Sequence, residues 1–178
     1  MWSDELIPHL FRTEHGKITT VLCKLFGLDH IEVAEDLASE TFVAALETWT
    51  YKGVPENPTA WLYAVAKNKA RNYINRDKLY AQKILPQVKK SSEEIQELEI
   101  DCDNKSISDA QLQMLFAICH PSIPQEAQIG LALRILCGFS IDEIANAFLT
   151  NKETINKRLF RAKEKLREEK VELVLPGI

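Results

Sequence analysis

The stretch "FSIDEIANAFLTNKETINKRLFRAKEKLRE", residues 139–168, reads as two short helices with a sharp corner between them. Ser140 can cap the first helix, and Glu143 three residues on closes a capping box. Ile141, Ile144, Ala145 and Phe148 give that helix its inner face. Thr150 and Glu153 repeat the device and open the second helix. There, Ile155, Leu159, Ala162 and Leu166 share one face, while Lys152, Asn156, Lys157, Arg161 and Lys163 fall largely outside it. Two helices joined so tightly have the proportions of a helix-turn-helix. A helix that probes the major groove presents its N-terminal half to base edges and its cations to phosphates. Thr154, Asn156, Lys157 and Arg158 supply that chemistry in that place. The tail "EKLREEK" has the Lys/Glu pairing of an ordinary solvated face. Taken alone, the stretch supports both readings.

The rest of the chain bounds the choice. It has 178 residues, 46% hydrophobic and 27% charged, which suits one or two small domains with real cores. No apolar run approaches the eighteen or so residues of a membrane span. The N-terminus "MWSDELIPHLFRTEHGK" is too polar for a signal peptide, so a cytoplasmic location is expected. Cys23, Cys102, Cys119 and Cys137 show no metal-site or redox-motif spacing and read as buried, reduced thiols. The 4 histidines are scattered. With no clustered acid/base set and no glycine-rich phosphate loop, the sequence predicts no catalysis, metal or cofactor.

Charge comes in blocks beneath a net of −4. Residues 1–52 carry 4 basic and 9 acidic groups, and residues 53–90 carry 8 and 2. Residues 91–126 carry 1 and 8, and residues 127–178 carry 9 and 7. Nearly every segment reads as helix. The first is predicted from about Asp4 to Leu25, with a break near Gly16. A second runs from about Ile31 to Trp49, with Leu37, Thr41, Phe42, Ala45, Leu46 and Trp49 as its apolar stripe. Glu32, Asp36, Glu40 and Glu47 lie off that stripe. "YKGVPENPT" is a loop. The next helix runs from Pro58 or Thr59 to about Lys83, apolar at Leu62, Val65, Ala66, Ala70 and Tyr73. Its other face holds Lys67, Asn68, Arg71, Asn72, Asn75 and Lys78. Trp61, Tyr63 and Tyr73 are weighed as base-stacking platforms against the more usual role of core aromatics. Helices are expected at 109–120 and 125–138, the latter stopped by Gly138. The expected fold is all-α: helical domains at 1–85 and 108–178, joined by an acidic linker at 86–107.

This order of acidic helix, basic aromatic helix, acidic linker and helix-turn-helix resembles the bacterial RNA polymerase sigma factors of the extracytoplasmic-function (ECF) group. "AEDLASETFVAALETW" (34–49) resembles the region 2 segment that grips the polymerase clamp. "NPTAWLYAVAKNKARNYINRDK" (57–78) resembles the region 2 segment that melts and reads the minus-ten element. Residues 124–168 resemble region 4, which reads the minus-thirty-five element and sits on the polymerase flap. "GVPENPTAWL", "AICHPSIPQEAQIGLALRILCGFSIDEIANAFL" and "KRLFRAKEKLRE" are similar to a branch that continues into a further helical C-terminal domain. With "VELVLPGI" apolar at its end, the chain is expected to be a piece of such a longer protein.

The resemblance implies roles residue by residue. Asp36, Glu40, Thr41 and Val43 lie at the clamp. Asn68, Arg71, Asn72, Asn75 and Arg76 meet the non-template strand near minus ten. Lys152, Thr154, Asn156, Lys157, Arg158 and Arg161 meet the minus-thirty-five duplex. Glu153 serves either that duplex or the helix cap. Asn72 departs from the aspartate, and Asn75 from the basic residue, common in the group. The implied partners are core RNA polymerase, promoter DNA, and an anti-sigma factor or the chain's own further C-terminal domain. The alternative is a free-standing helix-turn-helix regulator that binds two-fold symmetric duplex sites, in which the helices at 31–49 and 59–83 have no evident job. A helical adaptor is the third class.

Overall fold

The computed structural model describes residues 2–84 and 103–174, with side chains at 5–77 and 103–174. Among these residues the fold is all-α, without strands. Helix α1 spans Trp2–Phe26, and a 3₁₀ turn at Leu28–His30 leads into α2, Ile31–Lys52. Helix α3 spans Pro58–Ile84, α4 Asn104–Ile118 and α5 Gln125–Leu131. Helix α5 continues as a π turn over Ala132–Leu136, followed by α6, Ile141–Ala147, and α7, Lys152–Glu168.

The apolar spacing explains the N-terminal unit. Ile31, Ala34, Leu37, Ala38, Thr41, Phe42, Ala45 and Trp49 are the buried line of α2. Leu46, expected on that line, is instead 51% exposed. Leu62, Ala66 and Ala70 line the inner side of α3. The aromatics take the core role: Trp61 packs edge-on against Trp49 with ring centroids 5.2 Å apart, and Tyr73 packs against Phe26 at 5.4 Å. Tyr63 is buried, and its hydroxyl donates to Glu14 Oε2 at 3.0 Å.

Helix α1 runs unbroken through Gly16, contrary to the break expected there. Glycine is needed for proximity. A Cβ at that position would lie 1.9 Å from the backbone oxygen of Ile135 in the π turn. Gly138 repeats the arrangement, with φ of 71° and an added Cβ 2.4 Å from the Arg12 carbonyl oxygen. The second unit therefore packs on the outside of α1, and one apolar cluster runs through both units.

In that second unit α4 begins at Asn104, inside the stretch assigned to the linker. Asp103 caps it by accepting from the Ser106 N–H at 2.8 Å, and Ile107 is already buried. The remainder of the expected linker, residues 86–102, lies outside the described residues, as do Cys102 and the last four residues. The expected thiol burial holds for Cys23 alone of the three described cysteines, since Cys119 and Cys137 sit on short connecting turns and are exposed.

Candidate DNA and polymerase interfaces

The corner at residues 139–152 is built much as its sequence implies. Ser140 Oγ accepts from the Glu143 N–H at 3.1 Å, and Glu143 Oε1 accepts from the Ser140 N–H at 3.2 Å. The Ser140 N–H, and the Arg12 guanidinium after it, hold the Glu143 carboxyl below its usual range. The second cap differs from expectation. Asn151, not Thr150, is the capping residue of α7: its Oδ1 accepts from both the N–H and the hydroxyl of Thr154, each at 2.8 Å. The Thr150 N–H is turned back onto the Ala145 carbonyl at 2.9 Å. Glu153 is thereby left without a capping-box partner at Thr150 and stands exposed on the first turn of α7.

Ile155, Leu159, Ala162 and Leu166 bury the inner line of α7. Lys152, Asn156, Lys157 and Arg161 are exposed, while Thr154 and Arg158 are half-buried. Arg158 lies 3.5 Å from Glu126 at the start of α5. Phe160, absent from the sequence-based set, is 57% exposed on the same helix, one turn from Asn156 and Lys157. It falls off the buried line at 155, 159, 162 and 166, and that offset is the signal which could have found it. An exposed aromatic beside amide and ammonium groups suits a surface that meets bases.

On α3 the residues Asn68, Arg71, Asn72, Asn75 and Arg76 are all exposed, forming one amide and guanidinium face opposite Leu62, Ala66 and Ala70. On α2, Asp36 and Glu40 are exposed, and Val43 is 51% exposed beside the exposed Leu46. Glu40 reaches Lys69 of α3 at 3.7 Å. Thr41 does not belong to this surface. It is fully buried, and its hydroxyl donates to the Leu37 carbonyl at 2.8 Å, which satisfies it within the helix. A second apolar surface lies on the outer side of α4, where Leu112, Leu115 and Phe116 are 44%, 41% and 47% exposed. No sequence expectation covered it.

The predicted DNA residues of α3 and α7 remain separate sets. The contacts that tie α7 to the N-terminal unit use Lys163 and Arg167 instead. Lys163 Nζ donates to Glu35 Oε2 at 2.8 Å, and Arg167 Nε donates to the Asp29 carbonyl at 3.1 Å. Beside this seam His15 stacks on Phe11, and its Nε2 lies 3.1 Å from Ser39 Oγ. Burial, and after it the positive charge of Arg134, push the His15 pKa down to about 4. Burial likewise raises the Cys23 thiol, with the Glu35 charge as second cause. Among the described residues, no group of three or more His, Cys, Asp or Glu is placed to hold a metal ion. None of the helices there is long and apolar enough to cross a membrane.

The Sigma-70 region 2 family model matches residues 10–79, the span that contains α2 and most of α3. Residues 10–79 are a sigma-70 region 2. The chain is also similar to an uncharacterised protein of Rhizobium meliloti, 32% identical over 141 residues. That match covers 77% of this chain but only 33% of the relative. The ECF RNA polymerase sigma-E factor of Salmonella typhimurium is 27% identical over 140 residues, covering 72% of this chain and 69% of that one. The region 2 match and the sigma-E relative bear out the resemblance to ECF sigma factors. The exposed acidic face of α2 and the exposed basic face of α3 are thus two sides of one region 2.

Proposed function

We propose that this chain acts as an RNA polymerase sigma factor, without catalysis of its own, in the cytoplasm where polymerase works. Region 2 docks on the polymerase clamp through Asp36, Glu40 and Val43, joined by Leu46. The face Asn68, Arg71, Asn72, Asn75 and Arg76 holds unstacked non-template bases near minus ten, which offsets the cost of melting. The second unit, residues 104–174, acts as region 4. Lys152, Asn156, Lys157 and Arg161, with Thr154 and Arg158 at the rim, meet the minus-thirty-five duplex. The apolar stripe Leu112, Leu115 and Phe116 suits the polymerase flap, because its three side chains are neighbours on one exposed side of α4 and offer an apolar partner a continuous contact. Each DNA face alone binds weakly. Holding both on polymerase raises their effective concentration, so the pair selects a promoter. A further C-terminal domain that regulates the chain fits the length of the Rhizobium relative, of which this chain covers only 33%; an anti-sigma factor is the other proposed control.

The observation that carries this reading is the pairing, within a sigma-70 region 2, of an exposed acidic and apolar face on α2 with an exposed amide and guanidinium face on α3. The test is capture of bacterial core RNA polymerase by this chain and by an Asp36→Lys, Glu40→Lys variant. Both positions are exposed, so the variant keeps its fold. Capture by the wild type that is lost in the variant is expected. Equal capture by both refutes the clamp assignment, and capture by neither refutes the sigma reading.

A further inference from the structure

Helix α7 carries more than one exposed surface, and its register separates them. Ile155, Leu159, Ala162 and Leu166 are its buried line. Lys157 stands opposite that line. Arg158 stands beside it, three residues after Ile155 and four before Ala162, and Lys165, seven residues on, repeats the same flank. Arg158 and Lys165 line a groove of about 280 Å³ between α7 and the start of α5, together with Arg161, Ser122 and Glu126. The groove is smaller than the roughly 300–1,000 Å³ of a metabolite pocket and large enough for one phosphate group with its waters.

Glu126 is the anion on this lining. Its carboxylate lies 3.5 Å from Arg158 Nη2, and 68% of its side chain is exposed. A pair this exposed is worth little, so an incoming anion can displace it. The pair at Lys165, with Glu168 at 3.7 Å, is exposed as well. The dimensions of duplex DNA give this flank its target. An α-helix with its side chains is about 10–12 Å across, and the major groove is about 12 Å wide. A helix that fills the groove turns its crest to the base edges and its flanks to the phosphate backbones on either side. On α7 the crest is Lys157 with the exposed Phe160, and the flank towards α5 is Arg158 with Lys165. Base edges are thus out of reach for Arg158, which is half-buried against its own unit, while a backbone is within its reach.

We infer that the groove between α5 and α7 is a seat for one backbone phosphate of the duplex, with Arg158 and Lys165 as its cations and Glu126 as an internal anion that holds the seat until DNA displaces it. The inference rests on the reading of α7 as the helix that meets duplex DNA. Arg158 is then a grip on the backbone that is blind to sequence. Glu126 opposes that grip, because the phosphate must break the Glu126 pair to enter, and it weakens binding to every sequence alike.

The test is binding of the full chain to two labelled duplexes of about 20 base pairs, one rich in A·T and one rich in G·C, followed by fluorescence anisotropy from low to physiological salt. Arg158→Gln and Lys165→Gln should each weaken both duplexes by one common factor and lower the slope of log affinity against log salt by about 1. Arg158→Lys should keep the slope, since a phosphate needs a cation, whereas a bidentate contact to a base would be lost. Glu126→Gln should tighten both duplexes alike, by up to about fivefold, the most that an exposed pair is worth. That gain should vanish in the Arg158→Gln background. Glu169→Gln removes an exposed carboxylate outside the groove and controls for net charge alone. Arg158→Gln that weakens one duplex more than the other makes Arg158 a base reader and overturns the seat. A Glu126→Gln gain that is absent, that persists in the Arg158→Gln background, or that Glu169→Gln matches overturns the role of Glu126. Lys157→Ala separates the seat from the reading beneath it. If Lys157→Ala weakens binding while Arg158→Gln and Lys165→Gln do not, the seat fails and the α7 reading stands. If the wild type binds neither duplex at low salt, or binding ignores all three substitutions, the α7 reading itself fails and the seat falls with it.

Discussion

Replacing Lys163 with methionine should cost about 2 kcal/mol of folding stability, and the reasoning runs through Glu35. Lys163 Nζ lies 2.8 Å from Glu35 Oε2, with side chains only 13% and 22% exposed. The other carboxylate oxygen of Glu35 is buried with no hydrogen-bond partner. Methionine keeps the aliphatic stem but leaves that carboxylate without its cation. A fully exposed pair would lose up to about 1 kcal/mol, and a fully buried one about 3–5, so this half-buried pair falls between. In a chain of this length each kcal/mol lowers Tm by roughly 2–4 °C, giving a loss of about 4–8 °C. Urea unfolding of Lys163→Met, Glu35→Gln and the double variant completes the cycle. The double variant should recover part of the loss, because removing both partners leaves no buried charge. Coupling of about 1–2 kcal/mol is expected. A single-variant loss below about 0.5 kcal/mol, or coupling that vanishes within error, would show that α7 does not rest on α2 in solution.

Acid should weaken the fold through His15 before the carboxylates titrate. The unfolded chain binds that proton near pH 6.5 and the folded chain only near 4, so the contribution is complete above 6.5 and is lost as pH falls towards 4. The full loss is of the order of 3 kcal/mol, and Tm followed between pH 6.5 and 5 should decline in the wild type but stay nearly flat in His15→Gln. The cap of α7 gives a second check. Asn151→Ala removes the acceptor for Thr154 and should cost about 1 kcal/mol by urea unfolding, whereas Thr150→Ala should cost less than about 0.5. Equal losses would return the cap to Thr150.

What the sequence discloses here follows the range of the interactions involved. The faces of α2, α3 and α7 are set by residues three and four apart, and they were legible because such spacing needs only a helix and water. Thr41 shows the limit of a family likeness beside that local rule. It sat both on the apolar stripe and in the implied clamp set, and the burial of its hydroxyl against Leu37 settled the conflict for the stripe. The cap at Asn151 shows the limit of a motif, since Thr150 and Asn151 are both good caps and only the turn from Phe148 decides which carbonyl takes the Thr150 N–H. Gly16 shows the limit of propensity. Read locally it breaks a helix, but across 119 residues it makes room for the Ile135 carbonyl. Lys163 and Glu35 pair across a sequence distance of 128, so neither one's neighbours hint at the other. The individual surfaces proposed to meet DNA and polymerase are thus written in local periods. The seam that packs the second unit against α1 and α2 is written in long-range pairs, and only the folded chain displays it.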